Sequence, residues 1–177
     1  MTANLGRFGL RAEGAYVETG DTRGADPFTK NPFVFIVAGA DRTWGGLFNL
    51  NVQYLFHYVL DDPEAGLKVR IHEGESDGFA SVVATQQAIL NSQTRRAQHG
   101  ASFRIAYKWL HETLEAELAA AAYVGPKGAT VRPKVVYAVT DDWKVLAGAE
   151  IFRGEQSSLF GLLRPNSVGY LELRWSF

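Results

Sequence analysis

Apolar and polar residues alternate along most of this chain with a period of two. The clearest case is residues 47–60, in which every second side chain is large and apolar and most of the intervening ones are polar. Because successive side chains of a β-strand point to opposite faces, this pattern predicts a strand with one apolar and one polar face. The apolar set is Phe48, Leu50, Val52, Tyr54, Phe56 and Tyr58, and the other set is Asn49, Asn51, Gln53, Leu55 and His57.

The same alternation predicts eight strands in total. One difficulty is Pro133, because proline cannot donate a hydrogen bond to a neighbouring strand. We therefore expect Pro133 near a strand start or at a local irregularity. The other seven predicted strands are residues 7–17, 33–44, 101–109, 113–124, 131–140, 143–154 and 168–177.

The connections between these strands differ in length. Gly45-Gly46, Leu110-His111 and Asp141-Asp142 predict tight turns, which should gather at one end of the sheet. The longest connection, residues 61–100, is acidic at first, and for its later part we favour a helix or an irregular loop over a further hairpin or an extension of the next strand. The longer connections, which should lie at the opposite end, are residues 19–32, 61–100, 125–130 and 155–166.

The composition removes several classes of protein. The 177 residues carry a formal net charge of -1 and contain no cysteine, so neither a nucleic-acid partner nor a disulfide or thiol metal site is indicated. The mean hydropathy is -0.11, and no apolar run approaches the roughly 18 residues of a transmembrane helix. Strands that cross a membrane give the same low average, because half of their side chains are polar. The first residues lack a signal-peptide pattern, which leaves two options, a removed signal or a fragment of a longer chain.

The tryptophans indicate which face points outward. All four lie on apolar faces at the end where the short turns are predicted. Indole rings favour the membrane–water interface, so we assign Trp44, Trp109, Trp143 and Trp175 to that interface and the apolar faces to lipid. If the apolar faces pointed inward, as in a soluble lipocalin-like ligand-binding barrel, so many large side chains would overfill a small interior.

The last predicted strand carries a more specific motif. Gly169, Leu171, Leu173, Trp175 and Phe177 occupy alternating positions and end on an aromatic residue. This run resembles the C-terminal signature of bacterial outer-membrane barrels, in which a terminal Phe is read by the barrel assembly machinery. The resemblance implies that Leu171, Leu173, Trp175 and Phe177 form an assembly signal. It further implies an all-β, antiparallel up-and-down transmembrane β-barrel in the outer membrane, which is either complete or the C-terminal part of a larger porin-like protein.

The polar faces carry charges of both signs and hold the candidate functional residues. Polar groups inside a barrel either line a water-filled channel or pair with one another, and both options are open here. The tight turns predict that Lys134 lies opposite Glu150 and that Lys108 lies close to Glu115. The predicted lumen-lining residues are Arg7, Arg11, Glu13, Asp41, Asn49, Asn51, Gln53, His57, Arg104, Lys108, Glu115, Glu117, Arg132, Lys134, Lys144, Glu150, Glu172 and Arg174.

The sequence contains no catalytic, phosphate-binding or dinucleotide-binding motif, and its histidines share no metal-ligand spacing. We therefore expect no enzyme activity, no cofactor and no metal. The predicted function is a porin-like channel component for the passive passage of small hydrophilic solutes or ions. Its expected partners are outer-membrane lipid and the barrel assembly machinery, and a homo-oligomer is left open. The main alternative is a complete eight-stranded barrel with a structural or adhesive role in the envelope, because a barrel of that size is filled by its own side chains.

Overall fold

A single antiparallel sheet dominates the fold. The computed structural model describes residues 1–21, 26, 28–60 and 78–176. Within these residues, nine strands pair with their neighbours in chain order, which is an up-and-down arrangement. The strands are β1 (Thr2–Leu5), β2 (Phe8–Val17), β3 (Phe33–Trp44), β4 (Phe48–Val59), β5 (Ala97–Trp109), β6 (Leu114–Val124), β7 (Gly128–Ala138), β8 (Trp143–Gly154) and β9 (Val168–Trp175).

The predicted strands are confirmed, with changes at their ends. The bounds of β3 and β8 match the prediction, while β5 and β7 begin earlier than predicted. The structure adds β1, which pairs with the start of β2 across a turn at Gly6 and Arg7. The expected number of eight strands is therefore too low. With only four residues, β1 is too short for its alternation to stand out in the sequence.

The helices are few and lie in the longer connections. The chain forms helix α1 (Gly78–Leu90) before β5, helix α2 (Leu159–Leu162) after β8, and a 3₁₀ turn at Arg164–Asn166. The helix favoured for the connection of residues 61–100 is thus present in its later part, whereas residues 61–77 lie outside the described residues. Among the helices that the structure describes, none combines the length and the apolar character needed to cross a membrane.

Short turns join the strands at one end of the sheet, which we call the turn end. Gly45 and Gly46 both adopt positive φ, 56° and 73°, as the tightest hairpin turns require. At the opposite end, which we call the loop end, lie the connections that contain the helices. The predicted division into short turns and longer loops is confirmed with one exception, because β6 and β7 are joined at the loop end by only three turn residues, 125–127.

The sheet is open, with β1 and β9 at its two edges. The described strands therefore do not close into a barrel on their own, which departs from the expectation of a complete small barrel. The residues of β9 are exposed along its whole length. The backbone groups on its outer edge have no neighbouring strand among the described residues.

A constant register within each pair of strands gives the sheet two chemically different faces. Val52 pairs with Ala40 on β3 and with Phe103 on β5, and Phe103 pairs in turn with Ala120. We call the face that these residues share the apolar face. On the other side, Gln53 pairs with Gly39 and Ser102, and we call this the polar face. The alternation seen in single strands is therefore aligned across the whole sheet.

Burial in the sheet is confined to the polar face. Many large side chains on the apolar face are exposed, and the others are half-buried; for example, Val52 is 45% and Leu171 is 78% exposed. This distribution is the reverse of a soluble sheet, which covers its apolar side. The buried strand residues are His57, Val59, Gln98, Gly100, Ala106, Gly128, Thr130, Leu146 and Phe152, and every one of them lies on the polar face.

Pro133 lies in the middle of β7 and interrupts its pairing with β8. The ladder between these strands includes Val131 with Ile151 and resumes at Lys134 with Gly148, but Arg132 and Pro133 have no partner in it. On the other side, Pro133 still pairs with Leu118 of β6. The expectation of a local irregularity is confirmed, and the alternative of a strand start is wrong.

A tyrosine ring covers a glycine on the polar face, and this contact should limit substitution. A Cβ added to Gly100 would lie 2.7 Å from the ring of its cross-strand partner Tyr123. We predict that Gly100→Ala lowers the free energy of unfolding by about 1–3 kcal/mol, because the ring must move from a packed position. Urea unfolding of the chain refolded in detergent micelles measures this loss.

The matched control is Gly14→Ala on β2. A Cβ there would find its nearest neighbour, the Phe35 carbonyl oxygen, at 4.0 Å. We expect the stability of this variant to stay within about 0.5 kcal/mol of the parent. If both variants lose the same amount of unfolding free energy, the Tyr123 ring is not the reason why Gly100→Ala is destabilising.

Candidate functional site

The polar face collects the residues that were predicted to line a lumen. All of them lie on that face except Arg7, which was predicted at the start of a strand and lies in the turn between β1 and β2. The residues on the polar face are Arg11, Glu13, Asp41, Asn49, Asn51, Gln53, His57, Arg104, Lys108, Glu115, Glu117, Arg132, Lys134, Lys144, Glu150, Glu172 and Arg174.

The half of the polar face nearest the loop end is aromatic rather than charged. His57 is only 5% exposed, and its ring centroid lies 4.8 Å from that of Phe33 and 6.2 Å from that of Phe35. Lys30, just before β3, lies 4.2 Å from the Phe33 ring centroid, and burial lowers the pKa of its ammonium group. The sequence analysis did not predict this zone. Phe33 and Phe35 alternate in step with Asp41 along β3, so their position on the polar face could have been found.

The loop-end connections fold over this aromatic zone. The Phe160 ring of α2 lies 5.9 Å from Tyr123 and 6.2 Å from Phe152. The backbone N–H of Asn31 donates to Gln93 Oε1 at 2.9 Å, and Gln93 Nε2 donates back to the backbone carbonyl of Asn31 at 2.8 Å. A void of about 20 Å³ beside Phe160 has room for about one water molecule. Phe160 therefore covers part of the polar face at this end.

Between the aromatic zone and the turn end, the polar face carries ion pairs, some between neighbouring strands and some within one strand or its turn. The Glu117 carboxylate contacts Arg104 on one side and Lys134 on the other, the latter at 3.4 Å. Glu150 contacts Arg132 at 2.9 Å. Further pairs are Arg11 with Asp41 at 3.5 Å, Lys108 with Glu112 at 2.9 Å and Arg174 with Glu172 at 2.8 Å.

Two of the predicted charge partners change in the structure. Lys134 does not lie opposite Glu150, because the turn before β8 comprises residues 139–142 and sets Lys134 against Gly148. Lys134 instead contacts Glu117 on the other neighbouring strand. Lys108 does pair with Glu115 in the ladder as predicted, but its ammonium group contacts Glu112 in the turn.

Most of these ion pairs remain in contact with water. The exposed fraction of the side chain is 60% for Arg132 and 31% for Glu150, but only 15% for Glu117. An exposed pair contributes at most about 1 kcal/mol, because water and salt screen it. The charges therefore hold neighbouring side chains in place, and most of them stay open to water.

The four tryptophans lie at the turn end of the apolar face, where they were predicted. Trp143 and Trp175 face each other across β8 and β9, with ring centroids 5.9 Å apart. Other aromatic residues extend this level across the sheet and form what we call the aromatic belt. The belt consists of Phe8, Trp44, Phe48, Tyr107, Trp109, Tyr137, Trp143 and Trp175.

Polar exceptions on the apolar face lie beside aromatic rings. The Arg42 guanidinium lies 4.7 Å from the ring centroids of both Phe8 and Trp44. Nearer the loop end, the Tyr54 hydroxyl and His99 Nδ1 share a hydrogen bond of 2.6 Å. The sequence analysis did not single out Arg42 or His99, although both occupy positions that alternate in step with the apolar residues of their strands. Rings that surround a guanidinium, or share a hydrogen bond, lower the cost of keeping polar groups there.

The predicted assembly signal lies on the edge strand. Leu171, Leu173 and Trp175 alternate on the apolar face of β9 and are 78%, 64% and 57% exposed. Phe177 lies outside the described residues.

Comparison with known proteins gives no identification, because no family model, no curated protein and no solved structure matches the chain. In the described part of the chain, no three His, Asp or Glu side chains come together in a way that could hold a metal ion.

Glu117 and Glu150 provide a direct test of how the charged half is held together. We predict that Glu117→Gln lowers the free energy of unfolding by about 1–3 kcal/mol, because the less exposed carboxylate bonds to two cations. Glu150→Gln weakens a single ion pair, which is more exposed, and should lower the free energy of unfolding by at most about 1 kcal/mol. Urea unfolding of both variants in the same micelles measures the difference, and a larger loss for Glu150→Gln would contradict this order.

Proposed function

We propose that this chain forms part of the wall of a bacterial outer-membrane β-barrel and acts as a porin-like channel component for small hydrophilic solutes. The observation that carries the proposal is the uncovered apolar face, which is continuous across the sheet, while all buried strand residues lie on the polar face. In this arrangement, the apolar face contacts lipid and the polar face contacts water.

The extent of the apolar face is unfavourable in water. Soluble monomers rarely expose a contiguous apolar patch larger than a few hundred Å². Here, large apolar side chains are exposed on every strand from β1 to β9, among them Leu5, Val52, Val135 and Leu173. Contact with lipid removes the unfavourable exposure of these side chains to water. The paired strands also provide hydrogen bonds for the backbone N–H and C=O groups, which have no water to bond inside a membrane. The soluble lipocalin-like alternative would bury this face, so the exposure argues against it.

The height of the apolar face agrees with the thickness of a membrane. Phe48 lies in the aromatic belt, and Tyr58, ten positions further along β4, lies at the level of Tyr16 near the loop end. Ten residues span about 33 Å along a strand. With the strand tilt usual in membrane barrels, this distance corresponds to a band about 25 Å tall. Aromatic residues at both levels fit the two interfaces of such a band.

The two halves of the polar face favour different roles. The charged half is hydrated and supports a solute path, because its ion pairs leave charged atoms open to water. The aromatic half at the loop end, which Phe160 covers in part, favours the second candidate, a barrel with a structural or adhesive role in the envelope. We favour the channel over the structural role, because a purely structural wall does not require so many hydrated charges.

The proposed orientation predicts an alternating response of neighbouring positions. The chain has no cysteine, so a single introduced cysteine carries a single spin label. We expect labels at Val52→Cys and Phe103→Cys to collide more with oxygen than with a water-soluble nickel chelate. Gln53→Cys and Ser102→Cys should show the reverse, because they lie on the polar face. Electron paramagnetic resonance of the chain inserted in liposomes measures both collision rates.

The control for this experiment is the same set of labels on the urea-unfolded chain, where all four positions should respond alike. Equal oxygen and nickel accessibility at 52 and 53 in liposomes would refute the membrane orientation. It would also remove the argument for lipid as the partner of the apolar face.

A further inference from the structure

The gap in the sheet at Pro133 opens beside a cavity on the polar face. The cavity has a volume of about 210 Å³ and is lined by Pro133 together with charged residues of β6, β7 and β8. The Tyr170 side chain of β9, which covers Gly148, forms another part of its wall. Pro133 has no N–H to donate to β8, so the two strands lack a ladder bond at the position where the cavity lies.

Two cations in this cavity are only partly engaged by the protein. Lys134 contacts Glu117 at 3.4 Å, but Glu117 also holds Arg104 in a shorter contact and keeps that partner if Lys134 turns away. The Arg132 guanidinium uses one of its nitrogens for Glu150 and has further N–H groups available. Arg132 and Lys134 are two positions apart on β7 and therefore point to the same face, about 7 Å apart along the strand.

Two cations, Arg132 and Lys134, and two carboxylates, Glu117 and Glu150, line the cavity, so its lining is formally neutral. Arg104, outside the lining, shares Glu117 with Lys134 and so leaves the Lys134 ammonium group the least neutralised charge in the cavity. This partly neutralised cation is the group that an added anion would contact. The volume is below the roughly 300–1,000 Å³ of pockets for drug-sized ligands, so the ligand has few heavy atoms.

We propose that this cavity, which we call the Pro133 cavity, is a binding site for a small organic anion that bears a carboxylate group. The carboxylate lies between Arg132 and Lys134, where it accepts charge-assisted hydrogen bonds. Tyr170 closes the side of the site next to β9. That the cavity selects a solute of the channel rests on the proposed function. That the cavity binds a small carboxylate rests on the cavity alone.

The test is a titration of succinate into the full chain, refolded in detergent micelles and followed by NMR at the Tyr170 ring and at the methyl groups of Ala119 and Ala149, which also line the cavity. We expect saturable shifts at these positions. Lys134→Gln should weaken binding about tenfold, because a charge-assisted hydrogen bond is lost. Lys144→Gln, which removes a charge from the polar face outside the cavity, should change the affinity less than about twofold.

Pro133→Ala tests the cavity without changing any charge. The substituted alanine has an N–H that can donate to β8, so the ladder should close, and we expect weaker succinate binding with equal or greater stability. Absence of saturable shifts in the parent overturns the proposal. So does equal weakening by Lys134→Gln and Lys144→Gln, because succinate would then respond only to general surface charge. Stronger binding of ethylammonium than of succinate would also overturn it.

Insertion into liposomes, measured on the same samples, separates this inference from the proposed function. A chain that binds succinate but does not insert overturns the membrane role and leaves the site in place. A chain that inserts without binding succinate overturns the site alone.

Discussion

The structure depends on one constraint, the unbroken register of the antiparallel ladder. Side chains alternate along each strand, so a slip of one residue in any pair would exchange the two faces beyond that point. No such slip occurs from β1 to β9, and even the gap at Pro133 leaves the register on its two sides unchanged. The separation of an apolar face from a polar one across the whole sheet is a direct result.

Much of this architecture could be predicted from the sequence, because alternation is a local property. Strands β3 and β8 were bounded correctly, and the tryptophans were placed at the right end and on the right face. The short β1 was missed because four residues carry too little pattern.

Properties that depend on the exact pairing of strands could not be predicted. The partner of Lys134 changes with the number of residues in one turn, and a tight turn cannot be distinguished from a slightly wider one by its sequence alone. The cover over the aromatic zone was missed because it requires Phe160, in helix α2, to fold back over Phe152. Contacts of this kind depend on the path of the chain and leave no periodic signal.

The odd number of strands in the described sheet has a topological consequence. In an up-and-down sheet, all odd-numbered strands run in the same direction, so the two edges, β1 and β9, are parallel to each other. Joining these edges directly would create a parallel seam in an otherwise antiparallel cylinder. Two copies set side by side with the same orientation in a membrane would create two such seams. An all-antiparallel cylinder therefore needs an odd number of additional strands between β9 and β1, which constrains any complete barrel that contains this sheet.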